Sequence, residues 1–291
     1  MEVSSKLPSK TYQKLSRLIH VKDILSNIIR IVQLVIKLPK VIKDQDNFFT
    51  ILIRVSTMYF ALLVLQIIML YINYVCVLKA CFKRINDNLV HIQKFVMKDI
   101  KPHASNVIMH TQRNQFLLQE LGTLKKQHLT ISDAVKMLNM IFCLPLLATI
   151  VMSFFIVTFE LYLYAVRWQD GIFIGMDWHF LDVLLTSLIY NIFKIILIVW
   201  ACETGKDQAQ KIGTTIHDLL NSTNDEQIKY ELQLFSLQIL HRKNTFSLKG
   251  LTIDATLLAA IVGNITTYLL ILIQFLNMTY SCDRKTAVNI T

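Results

Sequence analysis

Four long apolar runs constrain the fold of this chain more than any other feature of its sequence. They cover about 49–78, 140–166, 180–202 and 257–278. A bilayer has a hydrocarbon core about 30 Å thick, which a helix of about 20 mostly apolar residues can cross. Glycine and proline, the residues that weaken or interrupt helices, number only 7 and 4 among 291 residues. We therefore predict an all-α membrane protein with four spans.

The charge composition fits this class and argues against several others. Only 17% of the residues are charged, compared with about 25% in soluble domains. The net charge of +10 would suggest nucleic acid in a soluble protein, but basic residues also collect in cytoplasmic loops beside membrane spans. The sequence contains no nucleotide-binding, RNA-binding or zinc-finger pattern, no CxxC spacing and no catalytic cluster within a span. We expect no nucleic-acid partner, cofactor, metal site or enzymatic activity.

Loop charges predict how the spans are oriented. Between Lys79 and Lys136 ten basic residues oppose four acidic ones, a net charge of +6. The short loop Arg167–Trp178 has one arginine and two aspartates. Basic loops stay in the cytoplasm, so the first loop is predicted inside and the second outside. The last span then runs outward, and the C-terminus is predicted to be extracellular.

These assignments divide the chain into nine predicted segments. They are 1–48, a basic segment with an amphipathic helix; 49–78, a span; 79–139, a cytoplasmic helical region; 140–166, a span; 167–179, an extracellular loop; 180–202, a span; 203–256, a cytoplasmic anchor-helix region; 257–278, the last span; and 279–291, an extracellular tail. The stretch 24–41 is interrupted by Arg30, Lys37 and Pro39, and we interpret it as an interfacial helix or the remnant of a span. Four spans leave the N-terminal segment outside, although it is basic, which conflicts with the charge rule.

A helix is predicted just before the last span. Ile228, Leu232, Phe235 and Ile239 are spaced 4, 3 and 4 residues apart, so they share one helical face. Acidic residues open this segment, which favours a helix N-terminus. Asp254 is a candidate N-cap for the last span.

The last apolar run carries a narrow polar stripe. Asn264, Thr267, Ile271 and Gln274 are spaced 3, 4 and 3 residues apart, which places them on one face of a helix. An amide inside a membrane is costly unless it finds a partner or water. The stripe therefore faces either a neighbouring helix, where it forms hydrogen bonds, or a water-filled path.

Part of this run carries a family resemblance. Thr267-Tyr268, five apolar residues and then Gln274-Phe275 match the TYhhhhhQF signature of insect gustatory receptors. Segments 78–86, 133–142, 231–241 and 246–254 are also similar to family segments, so the resemblance covers about Phe49 to the C-terminus. Members of the family have seven spans. The resemblance implies that the four here are the fourth to seventh, and that the first three are absent through truncation or a partial gene model.

The resemblance implies a function as well. The chain is expected to be a subunit of a ligand-gated cation channel in the plasma membrane, gated by a small-molecule tastant. It would assemble as a homo- or hetero-tetramer surrounded by membrane lipid. Gln274 and Phe275 would form the constriction, with Thr267 and Asn264 on the pore side. The alternatives are a non-conducting truncated receptor fragment and a membrane transporter or scaffold.

Charged residues near the predicted outer ends of the spans suggest a ligand site. Arg54, Glu160 and Asp182 share one level in the assigned topology, beside Trp178. Membrane charges usually pair or face a cavity, so we predict an ion pair of Arg54 with one of the two acids at the rim of a pocket. Interfacial charges in water are the alternative. Lys194, in the inner half of its span, is expected to extend to the cytoplasmic surface.

Overall fold

The computed structural model describes residues 9–43, 48–98, 107–169, 178–248 and 250–288. Within these ranges the chain is almost entirely helical. Its elements, in chain order, are α1 (Ser9–Lys43), α2 (Phe48–Lys98), α3 (Val107–Gln169), α4 (Trp178–Ser222), α5 (Glu226–His241), β1 (Ser247–Leu248), β2 (Leu251–Thr252) and α6 (Ala255–Val288). The prediction of an all-α fold is confirmed, with one small two-stranded hairpin added.

Four of these helices contain stretches long and apolar enough to span a membrane, as the sequence predicts. They lie within Phe48–Met97, Gln112–Arg167, Leu181–Ser222 and Ala255–Met278. Several helices extend far beyond an apolar run, because charged amphipathic turns continue the same helix. The exact segment boundaries and the cytoplasmic placement of the extensions stay predictions.

The ends of α5 and α6 show how local sequence sets the fold. Asp225 caps α5, and its carboxylate accepts hydrogen bonds from the backbone N–H groups of Gln227 and Ile228 at 2.9 and 3.0 Å. Asp254 does the same for α6 through the N–H groups of Thr256 and Leu257. The Asp254 cap agrees with the sequence prediction, whereas Asp225, which the sequence places in the first turn of the helix, lies just before it as the N-cap. The hairpin between these helices was missed, because each strand has only two residues.

The described residues form two compact units. The first contains the described residues of 1–19 together with Leu70–Cys143 and Ala201–Thr252. Its interior is apolar and aromatic, and Phe82, Leu124 and Phe235 are almost completely buried. Polar contacts tie its helices together, including Lys125 Nζ to Glu231 Oε2 at 2.8 Å between α3 and α5. The predicted face of α5 is confirmed in Ile228, Leu232 and Phe235, which are buried.

The second unit contains His20–Met69, Leu144–Trp200 and the described residues of 253–291. Val157 and Leu188 form part of a buried cluster there, and Ile265 of α6 packs against it. Helix α1 joins this unit through polar contacts. The side chain of Gln66 in α2 donates a hydrogen bond to Asn27 Oδ1 at 3.0 Å.

Helix α1 differs from its sequence prediction in its continuity. It continues through Arg30, Lys37 and Pro39 without a break. Its apolar side chains at Ile24, Ile28, Val32 and Val35 are exposed, whereas the polar side chains of Ser26, Arg30 and Gln33 are buried. An outward apolar face suits contact with lipid, since lipid tails are as apolar as these side chains. Whether α1 lies in the interface or crosses stays a prediction.

Candidate functional site

Two buried polar stripes in the second unit define a candidate site. On α1, Ser26, Arg30 and Gln33 follow the spacing i, i+4, i+7, and on α4 Ser187, Asn191 and Lys194 follow the same spacing. All six are buried. This spacing keeps three side chains on one helical face. In helices whose other faces are apolar, such inward polar stripes are typical of functional cavities in membrane proteins.

Two cations from these stripes meet at one aromatic ring. The guanidinium carbon of Arg30 lies 4.9 Å from the ring centroid of Tyr190, and Lys194 Nζ lies 5.3 Å from the same centroid. Arg30 and Lys194 are only 7% and 8% exposed. The prediction that Lys194 extends to the membrane surface was wrong, because its ammonium instead donates a hydrogen bond to Asn191 Oδ1 at 3.1 Å.

The two cations have neutral oxygens as acceptors. Arg30 Nη1 donates to the amide oxygen of Gln33, while the buried Arg30 Nε has no acceptor among the residues that the structure describes. Within the described part of the chain, neither Arg30 nor Lys194 lies within ion-pair distance of a carboxylate. Buried charges are normally paired, because removing an ion from water costs several kcal/mol. This corner of the unit is therefore short of negative charge.

A cavity of about 630 Å³ opens beside these residues. Its size lies within the range of about 300–1,000 Å³ that is usual for small-molecule sites. Polar lining comes from Arg30, Gln33, Tyr190, Asn191 and Lys194. Its apolar lining comes from α2 and α3, and includes Phe60, Val64, Ala148, Met152 and Ile156. The cavity thus offers one charged end and a large apolar wall.

Of the four predicted rim residues, the structure describes the side chains of Glu160 and Asp182. Glu160 lines this cavity, and its Oε2 atom is buried. Asp182 is exposed and is not among the cavity's lining residues. The side chains of Arg54 and Trp178 lie outside the described part of the structure. Their ion pair and rim positions therefore stay predictions.

Sequence reasoning missed Arg30, Gln33, Tyr190 and Asn191. The apolar positions of α1 dominate its sequence pattern, and in that pattern Arg30 indicates an interruption of the apolar stretch. The usable signal was the i, i+4, i+7 polar spacing, which occurs twice. That spacing alone does not say whether the polar face points inward.

Helix α6 is the least covered of the four candidate spans. Only 6% of its most apolar 18-residue window is buried, compared with 33–50% for the other three. Asn264, Thr267 and Gln274 are exposed, so the stripe is not buried against the described part of this chain. Phe275 is 65% exposed. Tyr268 contacts Phe154 of α3 edge to face, with ring centroids 5.9 Å apart.

The first unit holds a buried histidine in a part of α3 that precedes the apolar run. His128 is fully buried and lies 5.5 Å from the ring centroid of Phe235. Side-chain amides of Gln238 and Asn244 lie 3.1 Å from its two ring nitrogens. Burial, helped by the positive charge of Arg242, lowers the pKa of His128 from 6.5 to about 4. The neutral imidazole is therefore a structural element that joins α3 to α5 and the segment after it.

The family follows from a comparison of the sequence with family models. Residues 10–278 match the model described as 7tm Chemosensory receptor. This chain belongs to the seven-transmembrane chemosensory receptor family. The match begins within α1, so the family resemblance reaches further toward the N-terminus than the segment from Phe49 that the motifs indicate. Membership also supports the prediction that the protein is not an enzyme.

Curated relatives of this chemosensory receptor chain are gustatory receptors. Putative gustatory receptor 28b of Drosophila melanogaster is 34% identical over 154 residues, covering 51% of this chain and 32% of the relative. Gustatory receptor for bitter taste 66a of the same species is 28% identical over 182 residues, covering 60% of this chain and 34% of the relative. The matched part thus spans about a third of the length of these relatives.

Solved structures support the fold of this receptor chain. The insect olfactory receptor OR5 from Machilis hrabei matches with a TM-score of 0.64 at 9% identity, covering 91% of this chain and 68% of OR5. OR5 in complex with eugenol matches with the same TM-score at 11% identity. At such low identity the likeness establishes the fold alone. It confirms the prediction of an insect chemoreceptor bundle.

Proposed function

We propose that this chain is a chemosensory receptor subunit that forms a ligand-gated cation channel in the plasma membrane, with α6 lining the pore. The observation that carries the proposal is the exposed polar stripe on α6. Only 6% of the most apolar 18-residue window of α6 is buried, so this helix needs either lipid or other subunits around it. Lipid alone would offer no hydrogen-bond partner to the side-chain amides of Asn264 and Gln274. A water-filled pore between subunits gives these groups both water and cations to bind.

Relatives and chemistry support the remaining parts of the proposal. Small-molecule tastants are the expected ligands, because the curated relatives are gustatory receptors and one is named for bitter taste. The structural neighbour OR5 is a receptor solved with eugenol, a small molecule. The cavity of the second unit has the size and the mixed lining for a ligand of this kind. A homo- or hetero-tetramer would place four α6 helices around one axis.

Two neighbouring threonines provide a matched test of the pore. Thr267 is on the polar stripe and Thr266 is off it, yet both hydroxyls donate a hydrogen bond to the carbonyl four residues earlier at 2.9 Å. Valine at either position therefore removes the same local bond and keeps the side-chain shape. We expect Thr267→Val and Gln274→Ala to change the conductance or cation selectivity of tastant-evoked currents, and Thr266→Val to leave both unchanged.

The currents are recorded from whole cells that express the chain alone or with a full-length gustatory receptor. Equal effects of Thr266→Val and Thr267→Val would contradict a pore face on the stripe. Silence despite good surface expression would contradict conduction by this chain. It would favour a non-conducting receptor fragment, or a transporter or scaffold.

A further inference from the structure

We propose that the cavity of the second unit binds an amphiphilic anion, with its negative group between Arg30 and Lys194 and its apolar body against α2 and α3. The inference rests on the proposed function in one respect, since it takes this cavity to be the ligand site. It adds the chemical class of the ligand.

The charged residues of the cavity lining favour an anionic ligand. Among the described lining residues, Arg30 and Lys194 contribute two positive charges and Glu160 one negative charge, which leaves a net positive charge. Both cations lie over the Tyr190 ring. Arg30 donates a hydrogen bond to the amide oxygen of Gln33, and Lys194 donates one to the amide oxygen of Asn191. Two buried like charges repel each other in a medium of low dielectric constant. An anion bound between them would relieve this repulsion.

The hydrogen-bond donors of Arg30 and Lys194 also favour a ligand with negatively charged oxygens. Arg30 Nε is buried and has no acceptor in the described part of the chain. A guanidinium fork and an ammonium group together fit the two oxygens of a carboxylate. Such charge-assisted hydrogen bonds are about twice as strong as neutral ones. A ligand oxygen would therefore satisfy a donor that the protein itself leaves without a partner.

The apolar wall of the cavity favours a ligand that also has an apolar body. In contrast to the charged end, other parts of the cavity lining are apolar. They include Phe60, Val64, Met152 and Ile156. A purely inorganic anion would leave this wall in contact with water. A ligand with an aromatic or aliphatic body would cover it and gain about 25 cal/mol for each Å² of apolar surface removed from water. The ligand class is thus an anion with an apolar body rather than a free phosphate or a sugar.

The test compares two probes of one shape. Tritiated 4-phenylbutyrate is bound to the purified full chain in phosphatidylcholine nanodiscs at pH 7.4, and competition with 4-phenylbutyramide gives the affinity of the neutral analogue. We expect the carboxylate to bind at least tenfold more tightly than the amide. We expect Arg30→Gln and Lys194→Gln each to weaken carboxylate binding by about 10- to 100-fold, as loss of a hydrogen bond to a charged group predicts.

Several variants separate charge from folding. Arg17→Gln on α1 and Lys211→Gln on α4 remove exposed cations from the same two helices and should leave both affinities unchanged. Arg30→Lys should restore most of the carboxylate affinity. Glu160→Gln should strengthen carboxylate binding, because it removes a negative charge from the lining. Binding of the neutral amide to the Arg30→Gln protein shows that its cavity is intact.

The outcomes also identify the source of the anion. Phosphatidylglycerol in the nanodiscs that displaces the probe would assign the site to a lipid anion, and unchanged probe binding would assign it to a soluble one. Charge selectivity supports the proposal in both cases. Equal affinities for carboxylate and amide, or carboxylate binding that survives both glutamine variants, would overturn it. Binding is measured without currents, so failure of this inference and failure of channel function are distinguished.

Discussion

Replacing Gly205 of α4 by alanine tests the packing of the first unit at a single atom. A Cβ atom there would lie 2.8 Å from Cε2 and 3.2 Å from Cζ of Phe246, and 3.3 Å from Cγ1 of Val75. Carbon atoms in proteins pack at about 3.5–4.0 Å. Phe246 is only 2% exposed, so its ring has little room to move away. The methyl group therefore forces a rearrangement of the core.

The expected free-energy change combines two opposing effects. Overpacking a core costs about 1–3 kcal/mol, whereas alanine in place of glycine within a helix gains about 1 kcal/mol. The net effect of Gly205→Ala is a loss of about 1 kcal/mol, and at most about 2. Gly122→Ala in α3 is the matched control, because its Cβ would meet nothing within 4 Å. The control should gain up to about 1 kcal/mol, so the two variants should differ by about 2 kcal/mol.

Thermal unfolding in detergent provides the assay. A thiol-reactive dye reports unfolding, since the thiols of Cys76, Cys81 and Cys202 are buried in the folded protein. A difference of 2 kcal/mol corresponds to about 4–8 °C in Tm. Phe246→Leu should shrink the cost of Gly205→Ala, because the obstructing ring is gone. If Gly205→Ala proves as stable as Gly122→Ala, the close approach of Gly205 and Phe246 is refuted.

Three further predictions concern the pH response, the core and the orientation. The pKa of His128 is about 4 in the folded protein and about 6.5 in the unfolded one, so the unfolded state binds more protons between these pH values. The free energy of unfolding should therefore fall by up to about 3 kcal/mol as the pH drops from 7 to 4. His128→Gln should make this pH dependence weaker in thermal melts. Leu232→Ala should cost about 2–5 kcal/mol, whereas the same change at the exposed Leu237 on α5 should stay within about 0.5 kcal/mol; equal Tm values would contradict the packing of this helix. An epitope after Thr291 should be stained by antibody on intact cells, and staining that requires permeabilisation would reverse the predicted orientation.

Some elements could be predicted from the sequence because one local pattern determines them. The four apolar runs predict four candidate spans, since only the length and composition of a helix are needed. The 4-3-4 spacing of Ile228, Leu232, Phe235 and Ile239 predicts α5, and Asp254 predicts the start of α6. In each case the signal lies within a few turns of helix.

The cavity could not be predicted in the same way. It depends on Arg30 and Lys194 approaching one ring from two helices far apart in sequence. Periodicity marks the two faces of α1 but does not say which one is buried, because in lipid the apolar face points outward and in water it points inward. The membrane thus reverses the rule that soluble proteins follow. The hairpin could not be predicted because its sequence signal is short. Each strand has two residues, and the described turn residue Gly250, with φ of +94°, is a single glycine.

The meeting of Arg30 with Tyr190 has a consequence for how the protein is made. The ribosome completes Arg30 160 residues before Tyr190, a delay of roughly 10–30 s at usual synthesis rates. During that time the guanidinium of α1 lacks the aromatic face on which it lies in the finished protein. The contact between Arg30 and Tyr190 can therefore form only after α4 has been synthesised, so this part of the second unit is completed late rather than strictly in chain order.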